Sequence, residues 1–299
     1  MLQKFEHLSY FGHIINTRFV IGTLIVILNQ TTLKTMKKYI FALMFLLVAP
    51  GFIHAQKEVR EVNNNTFTFG EKITYKVRYN LYFNINVGEV IFNILPEPQT
   101  IAGNKCFHIV ATGSTFGFYD PFYKVRDKYE SYVETTSLLP LVFTRDVNEG
   151  GYKFNEYVIF NHKTKVAKSK KRTQTVPQHT QDVVSAIYYA RTLDYNNAKM
   201  GQKFYMHTFI DDSAYHCGVQ YMGREVIKTD HGKFNCIKLK PILVADRIFK
   251  SEDEMTMWVT DDDNRIPVRI ESGISVGKIR ADLDTYSGLK SNMRAKLGK

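Results

Sequence analysis

Cysteine, proline and tryptophan are scarce in this chain of 299 residues, which contains three Cys, eight Pro and one Trp. So few cysteines exclude a scaffold built on many disulfides, and the low proline content excludes a collagen-like fibre. No Cys-x-x-Cys pair and no regular spacing of histidines occurs, so no metal site is expected. The glycine loops that bind phosphates or dinucleotides are also missing, and no cofactor is expected.

Two states remain open for Cys106, Cys217 and Cys236. In an exported protein they could form one disulfide and leave one spare thiol. They could equally be three reduced cysteines that pack as small apolar side chains.

Aromatic residues are abundant, with 18 Tyr and 21 Phe, and this content favours β structure. Hydrophobic residues make up 44% and charged residues 23% of the chain, which is typical of a globular protein. The formal net charge of +11 is weak support for any particular partner.

Residues 36–55 have the order of regions found in a secretory signal peptide. Two lysines follow Met36, residues 39–48 form an apolar run too short to span a bilayer, and Ala55 ends the segment. We therefore expect cleavage after Ala55 and an exported, periplasmic protein that does not span the membrane. No cysteine stands directly after the apolar run, where the lipobox of a lipoprotein would place one, so no lipid anchor is expected.

Residues 1–35 do not fit this pattern, because a signal peptide begins near its own methionine. We interpret them as an extension upstream of a true start at Met36. The alternative is an unusual double anchor over residues 19–48. Beyond Ala55 we expect a flexible segment over 56–68, one β-rich domain over 69–284 and a tail over 285–299.

Residues 73–87 alternate between apolar and polar side chains, which predicts one long β-strand or two strands joined by a tight turn near Asn80. Gly88 indicates a bulge or bend, and the sequence 148–151 predicts a hairpin turn. Similar patterns predict further strands over 89–95, 107–112, 124–133, 139–146, 152–160, 204–210, 215–221, 225–229, 234–239, 254–260, 266–271 and 278–283.

One segment has helical periodicity, over residues 181–193, with Thr180 as the expected N-cap. Residues 176–178 before it are the best candidate for a seam between two β halves. The predicted fold is mostly β: a single large curled antiparallel sheet or open β-barrel of about twelve strands, with one α-helix as plug or lid.

Charged and nucleophilic residues give no specific catalytic pattern. Ser114 lacks the spacing of a nucleophile elbow, and the basic segment 162–172 is best explained as the solvated side of a hairpin rather than a nucleic-acid site. Carboxylates that could be assembled into an acid–base pair are Asp127, Glu130, Asp146, Glu149 and Glu156. No catalytic residue is assigned.

Several segments together resemble one exported bacterial family, catalogued as domain of unknown function 3108. The segments that carry this resemblance are 139–141, 145–152, Asp182 with 185–191, 258–262 and 265–268. The likeness covers residues 69–283. It implies a signal peptide, a β-rich periplasmic domain and no established activity.

We therefore predict a non-catalytic envelope protein whose curled sheet binds a hydrophobic ligand, a glycan or a partner protein. Aromatic side chains offer both an apolar face and a polar tip, and arginines supply polar anchors. The candidate contact residues are Phe118, Tyr119, Phe122, Tyr123, Arg145, Arg191 and Trp258. The alternatives are an envelope hydrolase acting on glycan or ester bonds, and a structural or interaction module.

Overall fold

The computed structural model describes residues 59–80, 84–117, 119–242, 255–274 and 277–298. The predicted extension, the signal peptide and its cleavage site lie outside this part of the chain. The strands are β1 Lys72–Asn80, β2 Asn84–Ile94, β3 Gln99–Ile101, β4 Asn104–Thr115, β5 Arg126–Glu134, β6 Pro140–Glu149, β7 Tyr152–Asn161, β8 Val166–Ser169, β9 Thr173–Thr175, β10 Lys203–Ile210, β11 Ser213–Thr229, β12 Gly232–Ile242, β13 Met255–Thr260, β14 Pro267–Gly273, β15 Lys278–Ser287 and β16 Lys296–Leu297. One helix, α1, spans Val183–Arg191.

All sixteen strands belong to one antiparallel sheet, which confirms the predicted fold class. The order along the sheet is β10-β11-β12-β13-β14-β15-β1-β2-β4-β5-β6-β7-β8-β9, with β16 beside β12 and β3 beside β4. The two halves of the chain therefore meet where β1 pairs with β15. Strands β9 and β10 stand at the two ends of the sheet and do not pair, so the barrel stays open.

The gap between the two edge strands is bridged by other groups. Gln181 pairs with β10, since its N–H donates to His207 O at 2.8 Å and its O accepts from Phe209 N at 2.7 Å. The Gln174 side chain of β9 donates to Asp212 O at 2.8 Å, in the β10–β11 turn. The segment predicted as a seam thus crosses from one edge of the sheet to the other.

Helix α1 begins two residues later than predicted, because Asp182 rather than Thr180 is the N-cap. The Asp182 carboxylate accepts from the N–H groups of Val184 and Ser185, both at 2.8 Å. The Ser185 hydroxyl accepts from Asp182 N at 2.9 Å, which completes a capping box. The Thr180 hydroxyl instead donates to Pro177 O at 2.7 Å.

The structure has sixteen strands instead of the dozen predicted, because a strand of two to four residues is too short to show an alternation of apolar and polar residues. Strands β3, β8, β9 and β16 were not predicted, and they contain two to four residues each. The predicted strands 215–221 and 225–229 are one strand, β11, with a register shift between Tyr221 and Arg224. Near Gly88, β2 has the expected irregularity, since Val77 pairs with Gly88 and Arg78 with Asn86.

The hairpin turn predicted at 148–151 is present, and Gly150 and Gly151 both have positive φ, at 54° and 91°. Phe67, in the segment expected to be flexible, is fully buried. Strand β15 continues past residue 284 to Ser287, and Ala295 is buried beside β16.

Cys106, Cys217 and Cys236 form no disulfide in the structure; Cys106 and Cys236 are buried, and Cys217 is half-buried. Within the described part of the chain, no helix has the length and hydropathy needed to cross a bilayer.

Candidate ligand cavity and its rim

The concave face of the sheet and helix α1 enclose two adjoining cavities. Cavity A has a volume of about 490 Å³ and lies between α1 and strands β1, β2, β4, β5 and β6. Cavity B has a volume of about 430 Å³ and lies between α1 and strands β10 to β15 with β1. The residues that line both cavities are Val90, Phe92, Val183, Ile187 and Ile210. The two cavities therefore adjoin along one edge of the helix.

Helix α1 faces the cavities with apolar side chains that nothing in the described structure covers. Ile187 remains 37% exposed and lines both cavities, whereas Val184 and Tyr188, which line cavity A and cavity B respectively, are only 3% and 2% exposed. Val183 and Ala186 are half-buried beside Ile187. An apolar helix face left open towards a concave sheet is typical of a binding cavity rather than of a filled core.

Cavity B is lined almost entirely by hydrocarbon. Its aliphatic and methionine walls include Met206, Val219, Met255, Met257, Ile270 and Ala281. The hydroxyl of Tyr188 is buried and has no hydrogen-bond partner among the described residues. Burial raises the pKa values of the Tyr75 and Tyr188 hydroxyls well above their usual range, so both rings stay neutral. Neutral aromatic rings and aliphatic walls suit a hydrocarbon ligand.

Cavity A has more polar and charged lining residues than cavity B. Val77, Val87 and Ala111 contribute apolar wall, whereas Asp127 and Arg145 contribute charge. The cavity thus combines an apolar wall with a few polar groups, the arrangement usual in small-molecule sites.

Arg145 points into the curl because it follows the inward-facing Phe143 by two residues on β6. Its Nε donates to Glu156 Oε2 at 2.9 Å, and its Nη2 donates to Asp211. Burial alone would lower the pKa of Arg145, but the hydrogen bond to Asp211 and the charge of Glu156 raise it. Arg145 lines cavity A, and no hydrogen bond joins its Nη1 to a described residue.

Asp127 and Glu149 meet beside cavity A. Burial raises the pKa of Glu149, and the hydrogen bond and negative charge of Asp127 raise it further. Asp127 Oδ1 also accepts from Asn148 N at 2.9 Å. Two of the carboxylates considered from the sequence are therefore brought together beside cavity A. Asp127 pairs with Gly113 and Ser114 pairs with Arg126, so the Ser114 side chain lies on the opposite face of the sheet from Asp127.

Arg191 lines cavity B but is already occupied by the protein. Its Nη1 and Nη2 donate to the two Glu71 carboxylate oxygens at 2.6 and 2.8 Å, and its Nε donates to Asn264 O at 3.1 Å. Both residues of the ion pair are buried, and the Arg191 guanidinium also lies 5.0 Å from the centre of the Tyr188 ring. This geometry ties the end of α1 to the sheet and to the β13–β14 turn.

Trp258 lies outside both cavities. Met255 and Met257 line cavity B, so alternation along β13 places Trp258 on the other face of the sheet. Its indole N–H donates to Glu225, and Lys238 Nζ lies 5.5 Å from its ring.

The aromatic segment predicted to contact a ligand forms the loop between β4 and β5, at the rim of cavity A. Phe118 lies outside the described residues. Tyr119 is half-buried, whereas Phe122 and Tyr123 are 80% and 54% exposed. The loop borders the cavity, since Thr115 and Val125 at its two ends line cavity A.

Sequence reasoning missed the residues that form the cavity walls, above all Ile187, Val90 and Met257. The helical pattern of Val183, Ile187 and Ala190 was a signal, but the same pattern describes a helix buried in a core. Among the described residues, no group of three or more His, Cys, Asp or Glu side chains could hold a metal ion.

Comparison with known proteins gives a family and three distant structures. The sequence profile described as "Protein of unknown function (DUF3108)" matches residues 74–284. No curated protein matches the chain at a significant level.

The structural similarities are weak. A crystal structure of a β-barrel-like protein of domain of unknown function DUF1849 from Brucella abortus shares 9% identity, with a TM-score of 0.48, over 74% of this chain and 98% of that one. A candidate lipoprotein from Parabacteroides distasonis shares 14% identity, with a TM-score of 0.31, over 76% and 100%. A candidate exported protein with a YmcC-like fold from Bacteroides fragilis shares 11% identity, with a TM-score of 0.29, over 74% and 97%.

Proposed function

Because the chain belongs to the DUF3108 family of proteins of unknown function, we propose a role from its own cavities: it is a non-catalytic binding protein for a hydrophobic ligand. The observation that carries the proposal is the apolar face of α1, where Ile187 is 37% exposed towards two adjoining cavities. An occupant with a hydrocarbon chain would cover this face and remove its apolar surface from water.

The wall chemistry favours a hydrocarbon over a glycan. A sugar needs several hydrogen-bond partners, and an unpaired hydroxyl in an apolar environment is costly. Cavity B offers mainly aliphatic side chains, and the guanidinium of Arg191 is engaged by Glu71 and Asn264. Both cavities, at about 490 and 430 Å³, fall in the range that holds a small molecule.

The polar end of the ligand belongs at cavity A in this proposal. Arg145 reaches the cavity with an unused Nη1 and suits an anionic or strongly polar head group. Tyr119, Phe122 and Tyr123 would contact a ligand as it enters past the rim, and Phe118 belongs to the same loop. Arg191 supports the wall. Trp258 has no cavity contact, and it could contact only a partner on the other face of the sheet.

The location proposed for this function is the periplasm, after cleavage of a signal peptide behind Ala55. The support is the order of basic, apolar and small residues over 36–55. There the chain would meet lipids and envelope proteins as partners. N-terminal sequencing of the protein exported by its own host tests this: a start at Gln56 is expected, and a retained segment 36–55 would refute it.

A neutral, environment-sensitive probe, N-phenyl-1-naphthylamine, tests the ligand proposal by its fluorescence. Wild-type protein should enhance the emission, and Ile187→Glu should abolish it, because the new charge would enter both cavities. Ile159→Glu is the matched control: Ile159 is 46% exposed on β7 and lines neither cavity. Equal emission from wild type and Ile187→Glu would refute the proposal.

The hydrolase alternative has one observation in its favour, the hydrogen-bonded pair of Asp127 and Glu149 beside cavity A. A carboxylate pair with one raised pKa is suited to acid–base chemistry. Turnover of p-nitrophenyl esters that is lost in Asp127→Asn and Glu149→Gln would favour an enzyme. Turnover that persists in both variants would exclude this pair as its catalytic groups.

A further inference from the structure

We propose that one end of the sheet is a membrane-docking surface for a bilayer containing anionic phospholipid. This rim surface consists of exposed apolar and aromatic residues at neighbouring strand ends: Ile85, Phe116, Phe122, Tyr123, Tyr152 and Ile274. The proposal goes beyond ligand binding in the cavities and does not depend on it.

Backbone contacts place these residues along one continuous rim. Phe116 N donates to Val87 O at 3.0 Å, which joins the β4–β5 loop to the start of β2. Gly150 N donates to Lys124 O at 2.8 Å, which joins the same loop to the β6–β7 turn before Tyr152. On the other side of Ile85, Asn84 pairs with Asn80 at the end of β1, and Asn80 also pairs with Lys278 at the start of β15. The β14–β15 turn follows directly, and within it Ile274 N donates to Gly277 O.

The β4–β5 loop is tied to strand β5 by side-chain hydrogen bonds that leave Phe122 and Tyr123 in solvent. Arg126 donates to both Asp120 carboxylate oxygens, at 3.1 and 2.6 Å, and the Thr115 hydroxyl donates to Asp120 at 2.6 Å. The Asp120 pKa is lowered by its hydrogen bonds from Arg126 and Thr115, so the loop stays pinned at neutral pH. Phe122 is nevertheless 80% exposed.

The tight β6–β7 turn is part of the same arrangement. A Cβ atom at Gly150 would lie 2.5 Å from the Tyr123 ring, so the ring rests directly on the turn backbone. Phe122 and Tyr123 therefore stay exposed although the loop is tied to β5 and to the β6–β7 turn. Exposed apolar surface of this kind marks an interaction site.

The charge around the aromatic rings identifies a membrane as the occupant. Lys124 is exposed beside Tyr123, and Lys153 is exposed beside Tyr152. Neither lysine forms an ion pair with a described residue. Aromatic side chains flanked by lysines suit the interface of an anionic bilayer, where rings insert at the head-group level and ammonium groups meet lipid phosphates. The rim also borders cavity A through Val87, Thr115 and Val125, so a docked protein would present that cavity to the lipids.

Flotation with unilamellar vesicles tests the proposal. Wild-type protein should float with vesicles of phosphatidylethanolamine and phosphatidylglycerol. The double variant Phe122→Ser/Tyr123→Ser should partition about tenfold or more weakly, because it loses the largest apolar insertion. Lys124→Glu/Lys153→Glu should weaken binding severalfold to these vesicles and much less to phosphatidylcholine vesicles.

Met200→Ser is the matched control. Met200 is 70% exposed, but it precedes the first residue of β10 and so lies at the strand ends opposite the rim surface. It should float like wild type. All variants change exposed side chains, and thermal unfolding verifies that they fold. Absence of wild-type flotation, or equal flotation of Phe122→Ser/Tyr123→Ser, would overturn the proposal. So would a stable dimer that Phe122→Ser/Tyr123→Ser dissociates, because the rim would then be covered by a second copy.

Discussion

Helix α1 has apolar side chains on two faces, and the sheet covers only one of them. On the packed face, Val184 and Tyr188 border cavities A and B but are only 3% and 2% exposed, and Tyr188 makes an edge contact with Phe67 at 4.9 Å between ring centres. On the open face, Ile187 is 37% exposed towards the two cavities. The first face stabilises the fold, and the second is available for a ligand.

The same contrast separates the two inward-facing arginines. Arg191 is enclosed by Glu71, Asn264, Phe67 and Tyr188, with Glu71 itself fully buried. Arg145 binds Glu156 and Asp211 and lies 4.7 Å from the centre of the Phe154 ring, but it also lines cavity A. Substitutions should therefore affect stability on the packed side and ligand binding on the open side.

The largest effect is expected at Arg191. Arg191→Leu removes the guanidinium and leaves Glu71 buried without its partner, which should lower the free energy of unfolding by roughly 3–5 kcal/mol. Denaturant unfolding measures this. The double variant Arg191→Leu/Glu71→Leu should recover part of the loss, because no uncompensated charge remains. A double variant less stable than Arg191→Leu would contradict this account of the pair.

A pair of substitutions on the two faces of α1 should give the next largest difference. Val184→Ala creates a gap in a packed core and should cost about 2 kcal/mol of unfolding free energy. Ile187→Ala removes more carbon atoms but should cost less than about 0.5 kcal/mol, since its site is open. Ile187→Ala should instead weaken binding of the naphthylamine probe. Equal losses of stability would mean that the open face is packed in solution.

A further expected effect is a pH dependence of stability at Asp182, beneath the packed face. Burial raises the pKa of this carboxyl to about 6, even though Ser131 and two backbone N–H groups hydrogen-bond to it. The folded state therefore binds the proton more tightly than the unfolded chain does. This stabilising contribution is complete below the unfolded pKa, near 4, and is lost as the pH rises through about 6.

Asp182→Asn isolates this contribution, because Asn also caps helices and does not titrate. The stability difference between wild type and Asp182→Asn should shift in favour of wild type as the pH falls from 7 to 4. A difference that does not change over this range would show that the buried carboxyl keeps an ordinary pKa.

The sequence predicted strands well where one face is buried and the other is wet. Residues 73–80 alternate between apolar and polar because Ile73 and Tyr75 face the interior. The hairpin turn was predictable because Gly150 and Gly151 both adopt positive φ, which glycine favours and most other residues do not. The short strands β3 and β16 were missed, because their pairing depends on distant partners rather than on a local period.

The cavities could not be predicted in the same way. Val90 on its strand and Ile187 on its helix each fit the apolar pattern equally well whether they face a filled core or an open cavity. The periodicity of the sequence therefore cannot separate a core from a cavity. Arg145 and Arg191 also look alike in sequence. Only the topology distinguishes them. It places Glu71 beside Arg191, which makes Arg191 structural, and it places Arg145 beside cavity A, where a ligand can reach it.

The most direct test of the central claim is a crystal structure with a bromine-labelled straight-chain fatty acid, whose anomalous signal locates the chain. The account predicts bromine peaks inside the sheet, against Ile187 and between the walls of cavities A and B, with the carboxylate near Arg145. Bromine peaks confined to the outer surface, with the interior filled by side chains, would contradict it.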